Sequence, residues 1–399
     1  MPLHPANDIL GIKSDKLKGK KIVLGVTGSI AATETVKLAR ELIRHGADVI
    51  PVMTKSAQEI IGVKSLHFAT GHMPITEISG DVEHVMYCGA REEKADALLI
   101  APATGNTISK IACGIDDTPV TTFATTAIGT GIPVMIVPAM HESMYRHAIL
   151  HENIKKLEHL GIHIIQPRFA EHKAKFPDID EIVAHTIRIL GKNDYQNKRV
   201  LVIGGASVEY IDEMRVITNL STGKMSVALA NEAFYRGAEV MMYAGRMEVP
   251  VPGYLPTKRF DTVENLLELT KKINYDYIFV PAALSDFYVE PVKGKIPSDK
   301  EITLHLKPLP KVIRHLRERS RGKIIGFKAE PDCSDAVLFE KAFKVIKSTG
   351  IDGVCANTFA NVGKDHGEIL YINSRGEMTK IKGTKEEIAQ KIFDRVLLL

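Results

Sequence analysis

KKIVLGVTGSIAATETVKLA, residues 20–39, and KRVLVIGGASVEYIDEMRVITNLSTGKMSVALA, residues 198–230, decide how this chain is read. Each opens on basic residues and runs through a short stretch rich in Val, Ile and Leu. Each then turns at glycine and enters a helical pattern. A strand that feeds a glycine turn and a helix leaves the first helical N–H groups unpaired and presents the positive end of the helix dipole. That arrangement recognises an anion, typically a phosphate. One such start in each half predicts two phosphate-recognising α/β domains.

Working outward, the first half alternates strand and helix signals. Apolar runs at Ile22–Val26, Val49–Met53, Ala97–Ala101 and Pro133–Val137 alternate with helical patterns at Thr33–His45, Asn106–Cys113 and Glu142–Leu150. The runs are continuous rather than alternating, the pattern of strands covered on both faces in a parallel sheet. Residues 191–197 (GKNDYQN) are polar and turn-rich, and read as a linker. Beyond them the alternation resumes from 200 to 397, closing on an amphipathic helix over 385–397. The prediction is an α/β chain of two doubly wound Rossmann-like domains, 1–190 and 198–399. Residues 287–307, rich in Lys, Pro and Gly, read as a long irregular loop of the kind that usually carries function.

Composition narrows the function. At 399 residues, 45% apolar and 25% charged, the chain has the make-up of an ordinary multidomain globular protein. A net charge of +4 suits small phosphorylated acids and gives no basic stripe for nucleic acid. No apolar run is long enough for a membrane span. The first twenty residues lack the apolar core of a secretory signal, which points to the cytoplasm. Cys88, Cys113, Cys333 and Cys355 form no CxxC pair, so neither a zinc site nor a dithiol motif is indicated.

Two nucleotide motifs are absent. Gly25-Val-Thr-Gly28 is not the GxGxxG dinucleotide fingerprint, and Thr222-Gly-Lys224 lacks the spacing of a phosphate-binding P-loop. The first half instead carries Gly25-Val-Thr-Gly-Ser-Ile-Ala-Ala32, Val52-Met-Thr-Lys-Ser56, Ile100-Ala-Pro-Ala-Thr-Gly-Asn-Thr107 and Val137-Pro-Ala-Met-His-Glu-Ser-Met-Tyr145. In that order they resemble the flavin-dependent cysteine decarboxylases, specifically 4′-phosphopantothenoylcysteine decarboxylase, over roughly residues 19–190. The resemblance implies a flavodoxin-like flavoprotein domain. FMN would be held by Gly28, Ser29, Thr54, Ser56, Ala101, Thr104 and Asn106, although each hydroxyl or amide here could equally cap a helix.

A carboxylate leaves as CO2 only where its electrons have somewhere to go. Oxidising the cysteine thiol to a thioaldehyde creates that sink, and the resulting enethiolate must afterwards be reduced and protonated. The family's acid/base histidine corresponds to His84, in Asp81-Val-Glu-His-Val85. Imidazole suits proton transfer near neutral pH. Met140 and His141 fall in the substrate-binding motif, where His141 replaces the family's usual asparagine. A second departure is the flap that follows: residues 165–175 lack the family's proton-donating cysteine. A ligase fused to a catalytically degenerate flavin-binding or regulatory domain is therefore the alternative.

The second half carries Arg215-Val-Ile-Thr-Asn-Leu-Ser-Thr-Gly-Lys-Met225, Ala282-Ala-Leu-Ser-Asp-Phe287, Gly294-Lys-Ile296, Gly326-Phe-Lys-Ala-Glu330 and Cys355-Ala-Asn357. These resemble phosphopantothenate–cysteine ligase over about 198–398, so the whole chain resembles a bifunctional enzyme of coenzyme A biosynthesis. A carboxylate forms an amide only when activated, and a nucleoside triphosphate (CTP or ATP) would convert it to an acyl-nucleotide. The resemblance gives Asn219 the acyl-nucleotide and Lys295 the leaving phosphates, with positive charge the catalytic lever. Pro281, Ala282, Ala283, Asp286, Phe327, Lys344 and Lys347 would contact nucleotide, and Asp286 would organise Mg2+. Arg215, Ser221 and Gly223 would hold phosphate or position the neighbouring loop. Trimeric contacts of the first domain and dimeric contacts of the second complete the expectation of a homo-oligomer.

Overall fold

The computed structural model describes residues 4–299, 301–359 and 363–399. They form two compact units, Met1–Gly191 and Lys192–Leu399.

In the first unit five parallel strands lie in the spatial order Asp48–Met53, Lys21–Val26, Ala97–Ala103, Val134–Pro138 and His163–Ile164. Every residue of Ala97–Ala103 is buried, which is why that stretch carries no polar alternation. The helix Thr35–Arg44 buries Leu38, Ala39, Leu42 and Ile43 as one stripe. The helix Pro119–Gly129 starts at a Thr118–Thr121 capping box with proline in its first turn, and sends Phe123 fully into the core. Strand order reverses between Lys21–Val26 and Ala97–Ala103. This flavodoxin-like order opens a ligand crevice beyond the carboxyl ends of those two strands.

The single helix expected over Glu142–Leu150 is two helices, Glu142–Tyr145 and Ala148–His159. Tyr145 explains the break. Its ring is buried edge-on against Phe169 and its hydroxyl donates to Gln166 at 3.0 Å, so the first turn is fastened to the following hairpin. The second helix instead turns Leu150, Ile154 and Leu157 into the core.

The second unit has eight strands in the order Thr257–Arg259, Glu239–Ala244, Arg199–Gly204, Tyr277–Val280, Lys323–Glu330, Gly353–Thr358, His366–Asn373 and Met378–Thr384. The first six are parallel, with the reversal between Arg199–Gly204 and Tyr277–Val280. The last two pair antiparallel, so the sheet is mixed rather than wholly parallel. Only a short turn around Gly376, at φ 83°, separates those two strands. A parallel return would need a crossover of a dozen residues or more.

The stretch expected as a linker packs against this unit. Tyr195 is fully buried, its hydroxyl donates to the Phe393 carbonyl at 2.8 Å, and the Arg236 guanidinium lies 5.0 Å above its ring.

Candidate functional sites

Each unit gathers candidate residues where its strand order reverses. In the first, Thr27 ties the two loops together. Its hydroxyl donates to the Pro102 carbonyl at 2.8 Å and accepts from the Thr104 N–H at 2.9 Å. Gly28 then passes so close to Ser56 that an added Cβ would lie 2.5 Å from the Ser56 Cβ. Only glycine fits there, and the loop it permits opens the helical segment from Ile30 onward. The Ser29 hydroxyl donates to the Ala139 carbonyl at 3.1 Å, joining this loop to the Met140–His141 segment.

A cleft of about 390 Å³ results, lined by Gly28, Ser29, Thr104, Met140, His141 and Lys173 among others. Met140–His141 forms a short strand against Lys173–Lys175, which pairs in turn with Arg168–Ala170. The flap is thus a hairpin whose turn residues Glu171 and His172 have φ of 52° and 56°. His141 lies opposite Lys173 in this pairing. Its cleft-lining residues include no thiol. Cys88 is buried in the core, where burial pushes its thiol up to about 12. Cys113 ends the helix Gly105–Cys113 on the surface.

The other first-unit candidates divide. Thr54 accepts from the Ala57 N–H at 3.2 Å and Thr104 from the Thr107 N–H at 3.3 Å, so both cap helices at the strand ends. Ala101 is fully buried, whereas Ser56 and Asn106 are exposed at helix starts. His84 stands apart, on the helix Glu83–Cys88, with its ring edge-on to Phe123 at 6.5 Å. Its Nδ1 is buried without a partner, and it is not part of the cleft lining. Unpaired buried polar atoms are rare enough to call for an explanation, and a ligand is one.

In the second unit, a ribbon of Val208–Tyr210 and Val216–Thr218 rises from the strand Arg199–Gly204 and ends in Asn219. The Asn219 side-chain amide donates to the Leu284 carbonyl at 2.9 Å. That carbonyl belongs to the 281–286 segment, which follows the neighbouring strand across the reversal. Ala283 is held there by its N–H donating to the Gly205 carbonyl at 2.8 Å, and Ser285 by its N–H donating to Ser207 Oγ at 2.9 Å. Gly223, at φ 79°, caps the helix Lys224–Tyr235, and a Cβ there would strike Met247 at 2.6 Å. Asn219 and the 281–286 segment are thus brought together at the strand-order reversal, and Gly223 opens the helix that follows the same ribbon.

Arg215 is already engaged. Its guanidinium pairs with Asp212 at 2.5 Å and donates to the Ile296 carbonyl at 3.0 Å. Asp212 is the residue that motif reading missed, although an acid three places before Arg215 was visible. The Ile296 N–H foremost, with those of Met214 and Arg215, holds its carboxyl well below the usual carboxylate range. Lys295 lies exposed in the tied loop and has no carboxylate partner among the described residues.

Asp286 is exposed and paired with Lys311 at 2.5 Å. The described residues contain no group of three His, Cys, Asp or Glu side chains able to hold a metal. A single carboxylate such as Asp286 holds Mg2+ only together with nucleotide phosphates and water. Phe327 is half-buried against the core, in register with Cys355. Lys344 and Lys347 lie in the last turns of the helix Asp335–Thr349, which returns toward the sheet's opposite edge before Gly353–Thr358. At the carboxyl end of Lys323–Glu330, Lys328 and Lys341 both pair with Glu330, at 3.0 and 2.5 Å.

Fold and sites define a flavoprotein domain joined to a second nucleotide-type α/β domain. Residues 10–191 match the flavoprotein family, and residues 195–399 match the C-terminal domain of the DNA/pantothenate metabolism flavoproteins. The chain is 47% identical over 401 residues to the coenzyme A biosynthesis bifunctional protein CoaBC of Thermococcus kodakarensis, covering 99% of each chain. It is 41% identical over 402 residues to the protein of that name from Methanocaldococcus jannaschii, covering 99% of this chain and 97% of the relative. The Escherichia coli protein of the same name is 29% identical over 409 residues, with 96% and 97% covered. The chain belongs to the family of coenzyme A biosynthesis bifunctional proteins. Among the described residues no helix is long and apolar enough to cross a membrane.

Proposed function

We propose that the second unit joins cysteine to 4′-phosphopantothenate through an acyl-nucleotide, and that the first decarboxylates the product to 4′-phosphopantetheine. The observation that carries this reading is the convergence of each motif set on a strand-order reversal. Gly28, Ser29, Thr104, Met140 and His141 line one cleft, and Asn219 is bonded to the 281–286 segment beside the other reversal. Membership of a bifunctional family supports two activities on one chain.

In the ligase, Asn219 orients the acyl-nucleotide from a backbone-anchored position, and Lys295 brings an unpaired cation to the leaving phosphates. Asp286 would organise Mg2+ together with the nucleotide phosphates. CTP is the nucleotide expected, with ATP as the alternative.

In the decarboxylase, the glycine loop and the Ser29 region take the phosphate of FMN, and the bound flavin supplies a two-electron acceptor. The residues fit such a group, since Gly28 lines the cleft and lets its loop pack on Ser56 more closely than any side chain would allow. His141 holds the substrate carboxylate, and His84 trades a proton through its unpartnered imidazole. Ile30 and Met144, exposed by 77% and 51% at the cleft rim, give a second copy an apolar surface to cover. This supports assembly of the first unit into a homo-oligomer, and a cytoplasmic enzyme on small-molecule substrates is the consistent setting.

Mass spectrometry after incubation with 4′-phosphopantothenate, cysteine, Mg2+ and either CTP or ATP tests both halves. Formation of 4′-phosphopantetheine supports the complete reading and identifies the nucleotide. Accumulation of the cysteine adduct alone would mean that the flavin domain is catalytically degenerate, a reading favoured by the thiol-free flap. No product with either nucleotide would overturn the assignment.

A further inference from the structure

The ribbon that delivers Asn219 also grips the loop that carries Lys295. Its tip is Ile211–Arg215, and Asp212 sits there with 1% of its surface exposed. One carboxylate oxygen accepts from the N–H groups of Met214 at 2.8 Å and Arg215 at 2.7 Å. The other accepts from the Ile296 N–H at 3.0 Å and from the Arg215 guanidinium. That guanidinium also donates to the Ile296 carbonyl, so Ile296 is bound on both of its backbone groups. Three flanking contacts complete the tie, one of them from the Glu213 N–H to the Gly294 carbonyl at 3.3 Å. The Val292 N–H donates to the Ile211 carbonyl at 2.9 Å, and the Gly294 N–H donates to Glu213 Oε1 at 3.1 Å.

Lys295 lies between two tied residues, yet its own side chain is exposed. Among its described residues the loop around it has one further piece of regular structure, the two-residue pairing of Phe287–Tyr288 with Lys307–Pro308. At the ribbon's other end, Asn219 is anchored to Leu284. One short ribbon thus contacts both the loop that carries Lys295 and, through Asn219, the segment that leads into it. A buried carboxylate with four donors makes a stiff joint, because each lost donor costs a charge-assisted hydrogen bond.

We propose that Asp212 is a positioning residue of the ligase reaction. Its carboxylate, bridged through Arg215 to both backbone groups of Ile296, presets Lys295 relative to Asn219 before nucleotide binds. The proposal rests on the role assigned to Lys295 above. A cation already in place acts on the developing phosphate charge without reorganising, and a displacement of about 1 Å can cost on the order of 10²-fold in rate.

The test uses the full chain carrying Asp212→Asn, which keeps the shape and removes the charge. In pyrophosphate release from 4′-phosphopantothenate and nucleotide, kcat should fall roughly 10- to 100-fold. KM for 4′-phosphopantothenate should stay within about two-fold, since an interaction needed mainly in the transition state is the one lost. Adding Asp212→Asn to Lys295→Ala should slow the reaction no further than Lys295→Ala alone, because nothing is left to position. A merely structural role would instead lower active protein and give multiplying losses. Decarboxylation of supplied cysteine adduct should continue at the parent rate as an internal control.

Should Asp212→Asn lose the thermal transition of the second unit, Arg215→Lys replaces it. That variant keeps a cation beside Asp212 but not the fork that reaches Ile296, and the same split of kcat from KM is expected. A slow Lys295→Ala enzyme with a normal kcat in the positioning variant overturns the proposal alone. A fully active Lys295→Ala enzyme overturns both the proposal and the role of Lys295.

Discussion

The two crevices both lie at a strand-order reversal but are finished differently. The first is a cleft closed on one side by a hairpin flap, and its loops are joined through hydroxyl and backbone bonds of Thr27 and Ser29. The second is an open edge crossed by a ribbon, with its loops joined through the charged pair Asp212–Arg215 and the Asn219 amide. Strand order places a ligand crevice in both, and the segments beyond the strand ends decide what each can do. The first presents a shaped pocket in which His84 takes no part in the lining. The second presents an exposed lysine on a tethered loop.

If the sites are independent, single substitutions should separate the two activities, and the largest effect should come from His84. His84→Asn should lower CO2 release by about 10²–10⁴-fold while the cysteine adduct continues to form, as followed by mass spectrometry. Decarboxylation at the parent rate would remove that histidine from the mechanism. The mirror-image experiment is Asn219→Asp. It should lower amide formation by about 10²–10³-fold, because a carboxylate replaces the anchored amide beside developing negative charge. Supplied cysteine adduct should still be decarboxylated, and loss of that reaction as well would show the sites to be coupled.

A smaller effect is expected from Gly28→Ala, which would press a methyl group against Ser56. Strain of about 1–3 kcal/mol should displace the loop and reduce the flavin absorbance of the purified protein, with ligation untouched. Full flavin content would mean that this loop is not the phosphate cradle. The smallest change tests the capping threonines. Thr54→Ala and Thr104→Ala should each destabilise the first unit by about 1 kcal/mol, visible as a lower melting temperature of the apoprotein. If flavin affinity falls and apoprotein melting does not, their hydroxyls serve the cofactor rather than the helices.

Much of this was legible from residues alone. Continuous apolar runs such as Ala97–Ala101 announced buried parallel strands, and glycine turns after Val26 and Ile203 marked both crevices. The break at Tyr145 was not legible, because the periodicity of residues 142–150 is helical and the cause is a hydrogen bond to Gln166. The antiparallel close of the second sheet was equally hidden, since Met378–Thr384 is polar enough to pass for a surface loop. Lys344 and Lys347 illustrate a different limit. Their spacing suits a paired contact, yet the direction of their helix carries them from the crevice.

The sequence by itself determined the two-domain α/β plan, the strand–glycine turns at the head of each domain and the family to which the chain belongs. Those properties depend on local periodicity, glycine turns and motif order, all written along the chain. Only the tertiary structure decided that Arg215 is spent on Asp212 and Ile296, that Asp286 faces Lys311, and that His84 keeps a buried nitrogen unpaired. Each of these is a partnership between residues distant in sequence or a consequence of packing. A side chain's chemistry is fixed by its type, but its availability depends on which neighbours the fold brings to it.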